Sequence, residues 1–147
     1  MTWYVLFYFR DFKTMVKKIA AIAASLVAVV GLGYLLATVI GKPVSTDLSI
    51  IGKGKPVLVL AYQNHSPTSI EALNSLNQVR NVYESRYEFV VADLGVPQGR
   101  AFASRSRMVE GQAIFLNQDG EPLLVTGIPA DEQALRRLLD SQLAAME

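Results

Sequence analysis

The 147-residue chain contains no cysteine, a single histidine, His65, and a single tryptophan, Trp3. The first absence excludes thiol–disulfide exchange, thiolate nucleophiles and cysteine-built metal cages. It also leaves a folded domain dependent on its apolar core rather than on disulfides. One histidine cannot supply a spaced ligand set, and Asp47 and Asp93 stand apart in the chain, so neither a metal nor any other cofactor is expected. A dominant charge is lacking too. Fourteen basic residues face 13 acidic ones, and no basic stripe marks a nucleic-acid surface.

What is present first is a long apolar run. Ile19 to Ile40 (IAAIAASLVAVVGLGYLLATVI) carries no charge over 22 positions. As a helix it is roughly 33 Å long, enough for a hydrocarbon core of about 30 Å. A buried core helix is rarely apolar on every face at this length, so one transmembrane helix is expected over 16–41, with the lipid bilayer as a partner. Arg10, Lys13, Lys17 and Lys18 precede the run against Asp11 alone, whereas ten basic and twelve acidic residues follow it. Positive flanks hold that end in the cytoplasm. The expectation is a single-pass protein of a bacterial inner membrane, with its C-terminal domain in the periplasm.

Met15-Val16-Lys17-Lys18 also has the character of a signal-peptide start, which leaves Met1 and Met15 as alternative first residues. The run exceeds the usual apolar region of about 7–15 residues and no clear small-x-small site follows, so an uncleaved anchor is expected. Trp3 to Phe9 (WYVLFYF) is too short to span. Its aromatics beside Arg10 and Lys13 suit a headgroup-level position within a cytoplasmic or interfacial stretch, 1–15. Small residues form two rows of fourfold spacing, Ala20, Ala24, Ala28 and then Gly33, Ala37, a candidate face for packing against another membrane helix.

After a linker over 42–46 with the helix breaker Pro43, one domain is expected over 47–147. Asp47 to Ile51 reads as a short strand. Val57 to Tyr62 is a continuous β-branched run, as in a strand buried on both faces. Ser66 is a candidate cap for a helix opening at Pro67, with Ile70, Leu73, Leu76 and Tyr83 near one face. Tyr87 to Leu94 reads as a second central strand, and Arg100 to Met108 as a short helix. Gln112 to Asn117 and Glu121 to Thr126 flank Asp119-Gly120, a hairpin signal. Asp131 is then a candidate cap for a final helix burying Leu135, Leu138 and Leu139. A β-α-β core followed by a hairpin and a closing helix predicts an α/β domain, a central mixed sheet flanked by helices.

Three stretches, GKGKPVLVLAYQNHSPTSIEAL (52–73), VVADL (90–94) and GQAIFLNQDGEPLLVTGIPADEQALRRLL (111–139), together resemble the thioredoxin family, including its membrane-tethered periplasmic branch. The resemblance implies a thioredoxin-like fold and places the family's nucleophilic cysteine at His65 and its resolving cysteine at Thr68. Pro67, next to Ser66, matches the proline common between them. The family's cis-proline, which shapes its substrate groove, falls on Gln112. A cis bond before a non-proline residue costs about 2.5–4 kcal/mol, so a trans peptide is expected there.

Redox chemistry and the substrate-docking loop both depart from the family pattern, so no catalytic residues are expected at His65, Ser66, Pro67 or Thr68. The expected role is an accessory, assembly or scaffold subunit of an integral membrane protein complex, acting through protein contacts rather than on a small-molecule substrate. Arg100, Arg105 and Arg107 are a candidate docking edge for an acidic partner, against the plainer reading of a solvated helix face. Two other readings are a periplasmic chaperone that holds extended chains, and a non-thiol enzyme or anion site at His65 and Thr68, where a helix N-terminus presents free N–H groups.

Overall fold

Five consecutive residues, Val57 to Ala61, are wholly buried, and the domain is arranged around them. The computed structural model describes residues 43–146 together with Ser25. The expected interfacial stretch 1–15, the apolar segment 16–41 apart from Ser25, and the packing face Ala20, Ala24, Ala28, Gly33 and Ala37 lie outside those residues. Among the described residues no helix is long and apolar enough to cross a membrane.

Strand β1 (Val57–Tyr62) pairs in parallel with β2 (Glu88–Asp93), from Val57 opposite Glu88 to Tyr62 opposite Asp93. On its other side β1 runs antiparallel to β3 (Gln112–Leu116), which in turn pairs antiparallel with β4 (Pro122–Gly127). The order β2-β1-β3-β4 makes β1 and β3 central, which is why their sequences are apolar at nearly every position rather than alternating.

Period-two geometry sends alternate residues to opposite faces. Leu58, Leu60, Phe89, Ala113 and Phe115 meet helix α1 (Pro67–Tyr83) and helix α3 (Glu132–Ala144) through Ala72, Leu76, Val79, Tyr83, Leu135 and Leu139. Val57, Val59, Ala61, Val90, Ile114 and Leu116 form the second core with Ala103 of helix α2 (Pro97–Arg105) and Met108. Each fully buried aliphatic side chain contributes about 1.5–3 kcal/mol, and two such layers suffice without disulfides.

Helix boundaries follow from local chemistry. Ser66 caps α1 by accepting from Ser69 N–H, and Pro67 fills the first helical position, where no donor is needed. Asp131 caps α3 by accepting from Ala134 N–H at 2.8 Å, and Leu135 and Leu139 are buried while Leu138 packs at the margin. The hairpin turns at Asn117–Gly120, where Asn117 Oδ1 accepts from Asp119 N–H and Glu121 N–H at 3.0 and 2.8 Å.

Three expectations are corrected. Asp47 to Ile51 is not a strand: Leu48–Ile50 is a 3-10 turn, because the Asp47 carboxylate captures Ser49 N–H at 2.9 Å and bends the chain away from the sheet. Only Ser45 bridges to β2, its carbonyl accepting from Val91 N–H at 2.8 Å. The helix expected over Arg100 to Met108 begins at Pro97, again a first-position proline, and ends at Arg105. It stops because Arg107 takes φ +55° while Met108 N–H and Arg107 N–H bond back to Ala103 and Ser104. Ile70 faces outward, 43% exposed, and the buried stripe of α1 instead includes Ser69, Ala72 and Ser75, whose small side chains let the helix lie close to the sheet.

Candidate functional site

Because β1 and β2 are parallel, β3 is antiparallel to β1 and β4 to β3, four connections gather at one end of the sheet: 63–66 after β1, 94–96 after β2, 106–111 before β3 and 128–131 after β4. The first is a four-residue turn in which Ser66 N–H donates to Gln63 C=O at 3.2 Å. His65 occupies its third position with φ +65°, a place that favours glycine or asparagine. The turn is tied to the helix by Ser69, a fully buried residue whose Oγ accepts from Gln63 N–H at 3.0 Å. Ser69 N–H in turn donates to Ser66 Oγ at 3.4 Å. Three local hydrogen bonds thus guide the path from strand to helix. Ser69 lies inside the quoted motif, yet hydropathy gives no hint of its role; its spacing of three from a serine cap is the signal that identifies it.

His65, Pro67 and Thr68 are all exposed, and among the described residues no hydrogen bond or ion pair involves the side chains of His65 or Thr68. The structure brings the two residues onto one turn without coupling them as base and nucleophile. Nucleophilic catalysis needs such a coupling together with an orienting partner. Among the described residues no group of histidine, aspartate and glutamate side chains could hold a metal ion.

The connection before β3 closes against this turn. Gly111 N–H donates to Ala61 C=O at 2.8 Å, Gln112 N–H to Val109 C=O at 3.2 Å, and the Gln112 side-chain oxygen accepts from Val109 N–H at 3.1 Å. The peptide before Gln112 is trans. Gly111, at φ +76°, backs directly onto Thr68: a Cβ there would sit 2.6 Å from Thr68 Cγ2. Where proline would have removed a donor and stiffened the loop, glutamine folds back and satisfies the loop from within.

The three arginines have different environments. Arg100 is committed locally, its guanidinium donating to Leu94 and Gly95 C=O at 3.1 Å each. Arg105 and Arg107 are exposed at the end of α2, and their guanidinium groups make no hydrogen bond or ion pair among the described residues. Around the same end of the sheet, Ile70, Val96 and Val109 are exposed apolar residues, at 43, 45 and 62%. A cavity of about 140 Å³ opens beside α2, lined by Thr46, Leu48, Asp93, Val96 and Gly99 among others. Its one carboxylate, Asp93, uses Oδ1 to accept Gly95 N–H at 2.7 Å.

Sheet order, helices on both faces and a capped helix leaving the end of β1 define a thioredoxin-like α/β fold. Neither a protein-family model nor a curated protein matches the chain. Solved structures do. A thioredoxin-like protein from Clostridium perfringens superposes with a TM-score of 0.58 at 18% identity, over 67% of this chain and 79% of that one. Mitochondrial thioredoxin 3 from Saccharomyces cerevisiae gives 0.52 at 15% identity, over 63% and 84%. The germline-specific thioredoxin Deadhead from Drosophila melanogaster gives 0.51 at 16% identity, over 61% and 83%. The fold is therefore thioredoxin-like, and with no cysteine in its sequence the chain is inactive in thiol redox chemistry.

Proposed function

We propose that this chain is a membrane-tethered, redox-inactive thioredoxin-like subunit that helps assemble or scaffold a bacterial membrane complex through protein contacts. The observation that carries the reading is the closed junction between Thr68 and Gly111. At the end of the sheet where a thiol enzyme would present its reactive group, this chain presents a self-satisfied turn and a self-satisfied loop. Exposed Ile70, Val96 and Val109, with Arg105 and Arg107, whose guanidinium groups are unpaired among the described residues, give that end the mixed apolar and cationic character of a contact surface. The uncharged run Ile19 to Ile40, with basic residues before it, supports a membrane anchor and a periplasmic position for the domain. The small-residue row Ala20, Ala24, Ala28, Gly33 and Ala37 supports a helix partner within the bilayer.

The test is purification of the tagged full chain from native membranes in mild detergent, after crosslinking. A defined set of integral membrane proteins should co-purify. Arg105→Glu with Arg107→Glu should lower their recovery by about tenfold or more, the scale of one or two lost charge contacts. His65→Ala with Thr68→Ala should leave it unchanged. Recovery of the chain alone would overturn the subunit role, and an inactive alkaline phosphatase fused after Glu147 would overturn the periplasmic position.

A further inference from the structure

We draw no further inference here: the strongest candidate, the uncharged outer edge of β4 with exposed Leu123 and Val125 on that strand, pairs with no strand among the described residues, and nothing in the structure shows what covers it.

Discussion

Gly111 and Thr68 form a contact that only a glycine permits, since a Cβ at position 111 would lie 2.6 Å from the Thr68 methyl group and the backbone there has φ +76°. Two elements far apart in sequence, the first turn of α1 and the connection into β3, are locked together at the one end of the sheet that carries the fold's usual chemistry. The lock couples the shape of the turn to the shape of the loop, so neither can be altered independently.

Gly111→Ala should therefore cost about 1–3 kcal/mol, part from the left-handed backbone and part from overpacking against Thr68. For a domain of this size that is a fall in Tm of roughly 4–8 °C per kcal/mol. Thr68→Ser removes the opposing methyl, so the double variant should recover the steric share and keep the backbone share. Urea unfolding of the four proteins measures the coupling. A Gly111→Ala protein as stable as the parent would mean that the loop stands off from the turn.

A second glycine is constrained more severely. A Cβ on Gly99 would come 2.0 Å from the Asp93 carbonyl oxygen and 2.8 Å from its nitrogen, so α2 could not seat on the end of β2. Both obstacles are backbone and cannot swing aside. Gly99→Ala should cost about 3 kcal/mol or more, the upper range for overpacking. Gly127→Ala is the control, because nothing lies within 4 Å of a Cβ there; its stability should change by no more than about 0.5 kcal/mol. Equal effects from the two substitutions would contradict the close approach at Gly99.

What could be read from sequence divides along physical lines. Strand β1, the Ser66-Pro67 start of α1, the Asp119-Gly120 turn and the Asp131 cap all carry local signals, and each is where those signals put it. The site was legible only as a place. His65 and Thr68 mark the turn, but the residues that shape it, Ser69 and Gly111, act through a buried hydroxyl and a missing Cβ. Neither registers in hydropathy or charge. Ile70 misled for a related reason: Leu76 and Tyr83 lie on the buried stripe of α1 as their apolarity suggests, but its first turns are buried through Ser69, Ala72 and Ser75, two of them polar residues that an apolar pattern does not count. The 3-10 turn after Asp47 is a competition between one carboxylate and the sheet for the same backbone donors, and a five-residue window does not decide it.

Alkaline pH should weaken the fold through two tyrosines whose hydroxyls bond to α3, Tyr83 at the end of α1 and Tyr87 just before β2. Burial pushes the Tyr87 phenol far above its ordinary range, and its hydroxyl donates to Leu139 C=O at 3.2 Å. Tyr83 is raised by burial and then by its hydrogen bond to Asp140, at 3.0 Å. Both folded values lie above the unfolded one near 10, so the native chain holds more protons than the unfolded chain once pH passes that point. Their contribution is complete below about pH 10 and is lost as pH rises toward the folded values. Urea midpoints should be flat from about pH 7 to 9 as far as these groups are concerned, then fall. Tyr87→Phe should lower stability at neutral pH by about 1 kcal/mol, for the lost hydrogen bond, and make the alkaline decline shallower. A decline of undiminished slope in the Tyr83→Phe, Tyr87→Phe double variant would assign it to other groups.

His65 and Arg107 both hold left-handed backbone, at φ +65° and +55°, a conformation that costs an ordinary residue about 1–2 kcal/mol. Strain of this kind often gathers at working sites, so it bears directly on whether the turn retains any chemistry. At Arg107 the helix ending explains it, because the bonds to Ala103 and Ser104 need that geometry and glycine is the usual occupant. At His65 the turn explains it, through the Ser66 N–H to Gln63 C=O bond. If geometry is the whole reason, residues suited to it should stabilise. Arg107→Gly and His65→Asn should each raise stability by about 0.5–1 kcal/mol in urea unfolding, the usual gain where a residue comes to suit its native backbone. Asparagine keeps the turn while removing the imidazole. A His65→Asn chain that folds more stably and still recovers the membrane partners proposed above leaves the imidazole no task. One that folds well but loses them would show that the histidine side chain, and not merely its backbone, belongs to the contact surface.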